Sequence, residues 1–489
     1  MKLKITFLGK KFEELREKIK FNEKEKFAFL LCNRSEFNSR IKLIPDKIIL
    51  AKNSDYSAVS AGFYQLKRTF VKKVITQALE EEKDIIQVHS HPFNPAKYSS
   101  VDRNSELEFM NYLFEKIENM YHASIVFSKD AQTLDSWFFN PKTRNLQKTE
   151  KVLVVYPEKF VLYLPQEEKE NVSFSQIQDR TIRAFGKQAV KIFSKIDIGI
   201  IGASGIGGPL AEILARTGFK NLIICDPDKI ELSNLNRLQG AGIKDENKNK
   251  AIFYKNYLDS LIPNLNIKAI PKSFFLPEVQ MQFALVDIIF SCVDSGAVHS
   301  INRLALANLC PLFVLNSGIN VENEKINFIG GHIYSVIPGN NVCINCLGVF
   351  DHLLYQFLNP SAQQREIQQG YVQGANLPEP QVYFLNSIIA SLGFWQMIKY
   401  ILGIKQPELK IYYNALQNKI VSSEIEETKG CLVCKDSGFL AQANKVPLLI
   451  PETNQIYQKI LNSLENENSG IILPKEIIPT QKEQKNESS

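Results

Sequence analysis

The chain has 489 residues, 44% of them hydrophobic, and a formal net charge of +6. That length and apolar content are enough to build the cores of two or three domains in a soluble globular protein. The charge is spread thinly, with no lysine and arginine block to track a phosphate backbone, which argues against nucleic acid; no signal-peptide core precedes the first charges and no run of about 18 apolar residues follows, which argues against a membrane and for the cytoplasm.

Residues 1–150 alternate short apolar stretches, FAFLLC, KIILA, DIIQVH and SIVFS, with charged helical stretches such as ELEFMNYLFEKIENM. This is the pattern of one α/β unit. Within it, QVHSHPFNPAKYSSVD spends two of only six histidines at the end of a predicted strand. His89 and His91 are two apart, so their side chains share one strand face. Pro92 ends the strand, and Asp102 arrives at the start of the next helix with a carboxylate oxygen. Two nitrogens and one oxygen leave the fourth tetrahedral position of a zinc ion open to water, the arrangement of a catalytic site that lowers the water's pKa to about 7. Such a water needs a proton acceptor and a group to steady an oxyanion, and Ser99 is placed for the second task.

An HxHP followed by Ser99 and Asp102, with seven residues between His91 and Ser99 and two between Ser99 and Asp102, resembles the motif of the JAMM (JAB/MPN) metallopeptidases. That resemblance implies cleavage of peptide or isopeptide bonds after ubiquitin-like proteins. It also implies a glutamate general base just before an apolar strand, in a pattern like E-x-x-G-x-L. EKFAFLLC offers Glu25, with Ala28 in the glycine place, and Glu23 stands nearby as a competitor.

Residues 151–175 begin as a strand and turn polar, and are expected to be a linker. From 176 to about 440 the pattern becomes helix, strand, glycine loop, helix and strand, which predicts a Rossmann-like domain on a mostly parallel sheet. In IDIGIIGASGIGGPLAEILARTG, Gly202, Gly205 and Gly207 lie between an apolar strand and a helix, where backbone amides and the helix N-terminus can face a phosphate. Asp226 ends the next strand, where a dinucleotide-binding protein would hold a ribose hydroxyl, so an NAD-binding oxidoreductase stands as an alternative.

DPDKIELSNLNRLQ, however, resembles the signature of the ThiF/MoeB and ubiquitin-activating family, with Asp226, Asn234, Asn236 and Arg237 at matching places. The resemblance runs over roughly 176–435. It implies that Arg180 reaches the nucleotide of a partner subunit in a homodimer, that Lys250 binds phosphate and that Asp294 binds magnesium. These roles suit an enzyme that neutralises a triphosphate while a carboxylate attacks the α-phosphate of ATP. Ser204 and Asn247 replace family glycines, Thr181 replaces a glutamine, and no cysteine lies between Cys346 and Cys431, where thioester-forming members carry their nucleophile.

Two CxxC pairs, Cys343 with Cys346 and Cys431 with Cys434, resemble the family's closed four-cysteine zinc site, with disulfides as the alternative, while Cys32, Cys225, Cys292 and Cys310 read as small core residues. Residues 441–489 are polar and are expected to be mostly a flexible tail. Together the resemblances imply a zinc peptidase fused to an ATP- and Mg2+-dependent adenylating domain, both acting on one small ubiquitin-like or sulfur-carrier protein. The absent cysteine leaves a second alternative, in which the activation domain is inactive and only presents the small protein to the peptidase.

Overall fold

The computed structural model describes residues 1–60, 64–117, 119–165, 176–293, 296–347, 380–423, 425, 428, 430, 431 and 433–446. The first unit contains β1 (Lys2–Leu8), α1 (Gly9–Ile19), β2 (Phe27–Phe37), β3 (Arg40–Leu50), the short pair β4 (Tyr56–Val59) and β5 (Tyr64–Leu66), α2 (Arg68–Glu80) and β6 (Asp84–Ser90). It continues with α3 (Ser100–Lys116), β7 (His122–Phe127), β8 (Leu134–Asn140), β9 (Asn145–Lys148), β10 (Lys151–Val155) and β11 (Phe160–Tyr163).

Nine of these strands form one sheet in the order β11-β10-β1-β3-β2-β6-β7-β8-β9. The stretch expected to open a linker therefore supplies two strands instead, with β10 running parallel to β1. Composition hid this, because the polar residues that suggested a connector begin only after β11.

Strand β1 shows why this sheet needs a second layer on its other face. Leu3, Ile5 and Phe7 point one way and join Phe12, Leu15 and Ile19 of α1 in a buried cluster. Lys4 and Thr6 point the other way, and they too are buried. What covers them is the second unit.

That unit holds α4 (Asp179–Phe185), α5 (Lys187–Phe193), β12 (Asp197–Ile201), α6 (Gly207–Thr217), β13 (Asn221–Cys225), α7 (Lys250–Leu261), β14 (Asn266–Ile270), α8 (Pro277–Ala284), β15 (Ile288–Ser291) and α9 (Ala297–Ala307). It ends with β16 (Leu312–Glu322), β17 (Lys325–Val336), α10 (Ile344–Leu347), α11 (Tyr383–Ile401), β18 (Lys410–Asn414) and β19 (Lys419–Ser423). The sheet order is β14-β13-β12-β15-β16-β17-β18-β19. The first five strands are parallel, and β17, β18 and β19 extend the sheet antiparallel.

Helices α6 and α11 bury Leu210, Leu214, Ile389 and Met397 against one face of this sheet. Helices α8 and α9 bury Val279, Phe283, Val298 and Ile301 on the other. Between the units, Lys4 and Lys151 both pair with Asp287 at 2.5 Å, and Arg40 pairs with Asp197 at 2.8 Å. Lys42 donates to the backbone carbonyls of Val286 and Asn308. No described helix is long and apolar enough to cross a membrane.

Candidate functional sites

His89 lies near the end of β6, an interior strand of the first sheet. It pairs across β6 with Phe27 of β2 on one side and Val126 of β7 on the other. His91 follows the strand, its N–H donating to the Phe127 carbonyl. Ser99 is the N-cap of α3, where its hydroxyl accepts the Asp102 N–H at 3.1 Å and the Asp102 carboxylate accepts the Ser99 N–H at 2.7 Å. This reciprocal cap is worth about 1 kcal/mol to the helix end and aims Asp102 back at the histidines.

The two Nε2 atoms lie 3.1 Å apart. Asp102 oxygens lie 3.4 Å from His91 and 3.9 Å from His89. Zinc with nitrogen and oxygen ligands at about 2.0–2.1 Å holds them roughly 3.3 Å apart, so the three donors fit one ion. The electrostatics agree with this donor set. Burial pushes the His89 imidazole down to about 3, so it is neutral and able to ligate. Burial opposes ionisation of Asp102, but hydrogen bonds from His91 and Ser99 outweigh it and hold the carboxyl well below the usual range. Glu25 is buried just ahead of β2, and that burial, aided by the Asp102 charge and opposed by His91, raises it to about 7. Phe93 and Val101 flank these residues in the sequence and are largely exposed.

The second cluster lies at the C-terminal end of β12. Gly202 has φ +90°, a left-handed conformation that suits glycine, and a Cβ there would meet the Cys292 carbonyl at 2.7 Å. A Cβ on Gly207 would strike the Gly202 carbonyl, so the loop closes only with glycine at both places. Asp226 accepts the Ala203 N–H at 2.7 Å and the Asp228 N–H at 2.9 Å, which ties the loop to the end of β13. Burial raises the Asp226 carboxyl against these two hydrogen bonds.

Lys250 opens α7 and pairs with Asp228 at 3.1 Å. Asn234 is buried in a short 3-10 turn, its side-chain oxygen accepting the Glu231 N–H. Arg237 donates to the Ser233 carbonyl and the Asn236 side chain, and Asn236 donates to the Gln381 carbonyl. Arg180 stands exposed on α4. Asp294 lies outside the described residues. Sequence reasoning missed Asn386, whose amide lies against Gly205 and whose oxygen accepts the Ser317 hydroxyl at 2.6 Å.

In the third cluster, Sγ separations are 3.9 Å for Cys343–Cys346, 3.8 Å for Cys343–Cys431 and 3.6 Å for Cys346–Cys434. A tetrahedral zinc with Zn–S near 2.3 Å spaces its sulfurs about 3.8 Å apart, so this set fits a closed structural site. Asn302 of α9 accepts the Ile344 N–H and so braces the first knuckle. Cys32, Cys225 and Cys310 are buried, whereas Cys292 is half-buried.

A doubly wound sheet with a glycine turn after its first strand, carrying Asp226 and Lys250 around it, defines a nucleotide-binding Rossmann-like domain. The sequence model of the ThiF family matches residues 178–433, and the chain belongs to that family. It is 25% identical over 261 residues to ubiquitin-like modifier-activating enzyme 5 of Gallus gallus, covering 50% of this chain and 60% of that protein. It is 28% identical over 231 residues to the Aedes aegypti protein of the same name, covering 45% of this chain and 54% of that protein. The chain thus spans a little over half the length of these relatives.

Among solved structures, E. coli MccB with ATP is similar at 19% identity and a TM-score of 0.42, over 55% of this chain and 76% of that one. E. coli MccB with MccA is similar at 15% identity and a TM-score of 0.44, over 83% of this chain and 99% of that one.

Proposed function

We propose that the ThiF-type domain activates the C-terminal carboxylate of a small ubiquitin-like or sulfur-carrier protein by ATP-dependent adenylation, and that the N-terminal domain is a JAMM-type zinc peptidase acting after the same protein. The carrying observation for activation is the glycine loop anchored by Asp226 beside Lys250. Loop amides and the N-terminus of α6 suit phosphate oxygens. Lys250 would exchange Asp228 for a phosphate, and Arg237 stands on the turn beside the loop's partners. Asp294 is assigned to magnesium by its place in the motif. Arg180, exposed on α4, suits a nucleotide held by a second copy, and the exposed Tyr383, Phe384 and Trp395 of α11 support pairing as a homodimer.

The peptidase reading rests on His89, His91 and Asp102 lying within bonding reach of one ion. Zinc bound there would supply an acidified water and a Lewis acid for the scissile carbonyl. Glu25, poised near 7, would take the proton and return it to the leaving amine. Ser99 accepts one hydrogen bond through its oxygen and keeps its own O–H to donate to an oxyanion. Exposed Phe93 and Val101 offer apolar surface for an extended peptide tail.

Two assays test the pair of activities. Labelled pyrophosphate should exchange into ATP only with a glycine-terminated small protein present, and a C-terminal fusion to that protein should be cleaved in a zinc-dependent way. NAD binding without ATP binding would overturn the first reading, and cleavage indifferent to chelator would overturn the second.

A further inference from the structure

We infer that Glu106, one helical turn beyond Asp102, is the positioning residue that accepts the Nδ1–H of His89 and so fixes Nε2 as this imidazole's metal-facing nitrogen. The inference rests on the zinc reading of the His89, His91 and Asp102 cluster. Two periodicities bring the groups together. Asp102 and Glu106 are four apart on α3 and share a helix face, while Gln87 and His89 are two apart on β6 and share a strand face. The helix lies so that the two faces meet.

Gln87 donates its Nε2–H to one oxygen of Glu106 at 3.1 Å, which fixes the carboxyl group's orientation. The other oxygen lies 3.8 Å from His89 Nδ1. Both of these facing atoms are buried and neither makes a hydrogen bond of ordinary geometry, although the Ser124 hydroxyl is a second donor close to the Glu106 carboxyl. Buried polar atoms are nearly always satisfied, so two of them facing each other a short side-chain rotation from contact mark an intended pair. Tyr64 and Tyr98 pack their rings against His89 at 5.4 and 5.9 Å between centroids and wall the pair off from solvent.

The chemistry gives the pair a direction. His89 Nε2 already faces His91 and Asp102, so it must be the lone-pair nitrogen when an ion is present. A neutral imidazole has one N–H, which therefore sits on Nδ1 and needs an acceptor. An acceptor oxygen in this place fixes the tautomer and ring orientation of a ligating imidazole. His91 has its own support in a hydrogen bond to the Lys97 backbone. Glu106 does for the first histidine what that backbone does for the second.

The test uses the full chain as wild type, Glu106→Ala, Glu106→Gln and Asp102→Ala. Zinc affinity is read by chelator competition, counting the ion that Asp102→Ala removes, and the His89 tautomer is read from the imidazole 15N signals of histidine-labelled protein. Glu106→Ala should weaken that zinc by about 10- to 100-fold and shift His89 away from the Nδ1–H form. Glu106→Gln, which keeps an acceptor oxygen, should restore most of both. Unchanged zinc affinity and an unchanged tautomer in Glu106→Ala would overturn the inference, as would a lower melting temperature with neither readout moved. If Asp102→Ala removes no zinc, the metal reading fails, and the tautomer alone still decides whether Glu106 holds His89.

Discussion

Lys151 Nζ lies 2.5 Å from Asp287 Oδ2, and neither side chain has meaningful solvent exposure. Lys151 belongs to the first sheet and Asp287 to the loop before β15, so this pair joins the two units through their interior. Lys4 takes the other oxygen of the same carboxylate. Removing one partner of such a cluster leaves uncompensated buried charge, which typically costs about 3–5 kcal/mol. Asp287→Ala should lower stability by that order in urea denaturation at neutral pH. Burial opposes ionisation of Asp287, but Lys151, Lys4 and Lys42 hold its carboxyl far below the usual range. A depressed carboxyl contributes fully above the unfolded value of about 3.9 and loses its contribution as pH falls below it. The gap between wild type and variant should therefore be widest near neutrality and shrink as pH drops below about 4.

Two ligand clusters of different chemistry predict zinc ions that can be removed separately. Purified protein should carry about two zinc ions per chain, as expected for one open and one closed site. Asp102→Ala should lose the N-terminal ion without lowering the melting temperature much. Cys431→Ser should lose the other and destabilise the chain, because α10 and the last described turns pack around those sulfurs. Metal analysis showing one ion that survives Asp102→Ala would exclude the N-terminal site.

The proposed base, Glu25, carries an expected pH signature. A general base works ionised, and this carboxyl is raised to about 7 by burial, so kcat/KM for cleavage should fall as pH drops through that region. Glu25→Gln should keep the metal, lower cleavage by about 10² to 10⁴ and abolish that limb of the profile. Full activity in the variant would move the role to Glu23, which shows a left-handed φ of 63° just upstream.

The clustering of these side chains was legible in sequence because each group rests on residue type and short spacing: His89 and His91 by strand period, Asp102 by its helix cap, the cysteines as paired knuckles. The joint between the units was not. Strand β1 is buried on both faces, so the alternation that marks a half-exposed strand is missing. Lys4, Lys42 and Lys151 look like solvated charges until a partner 283 residues from Lys4 is seen beside it. Asn386 was hidden for the same reason, since nothing local to α11 announces that its amide lies against Gly205. Asn247 is a case where the departure from family pattern explains itself. Its φ of 66° lies where glycine is favoured and asparagine is the tolerated substitute.

Asp226 is bound to two backbone N–H groups that shape the glycine loop, so its loss should disturb that loop as well as any contact to nucleotide. Asp226→Ala should abolish pyrophosphate exchange and weaken ATP binding, whereas Lys250→Ala should weaken ATP binding while the loop keeps its shape. Hydrogen exchange at Ala203 separates the two outcomes: faster exchange is expected only in Asp226→Ala. Protection unchanged in both variants would show that the anchor is not what orders the loop.

No cysteine lies between Cys346 and Cys431 in the sequence, so an activated small protein should remain an acyl adenylate until an external nucleophile takes it. The remaining thiols argue the same way. Cys32, Cys225 and Cys310 are buried, and burial raises Cys225 to about 12, which denies it the thiolate that attack requires. Cys343, Cys346, Cys431 and Cys434 are committed to their cluster. Incubation with MgATP and the small protein should give no reductant-sensitive adduct on a gel, although pyrophosphate exchange proceeds. The residue that could contradict this is Cys292, which is half-buried and whose backbone carbonyl lies against Gly202 of the glycine loop. An adduct lost in Cys292→Ser but kept in Cys225→Ser would turn the chain from an adenylate-only enzyme into one that carries its substrate as a thioester. Absence of both adduct and exchange would favour the inactive-activation alternative and leave the His89, His91 and Asp102 cluster as the remaining candidate site among the described residues.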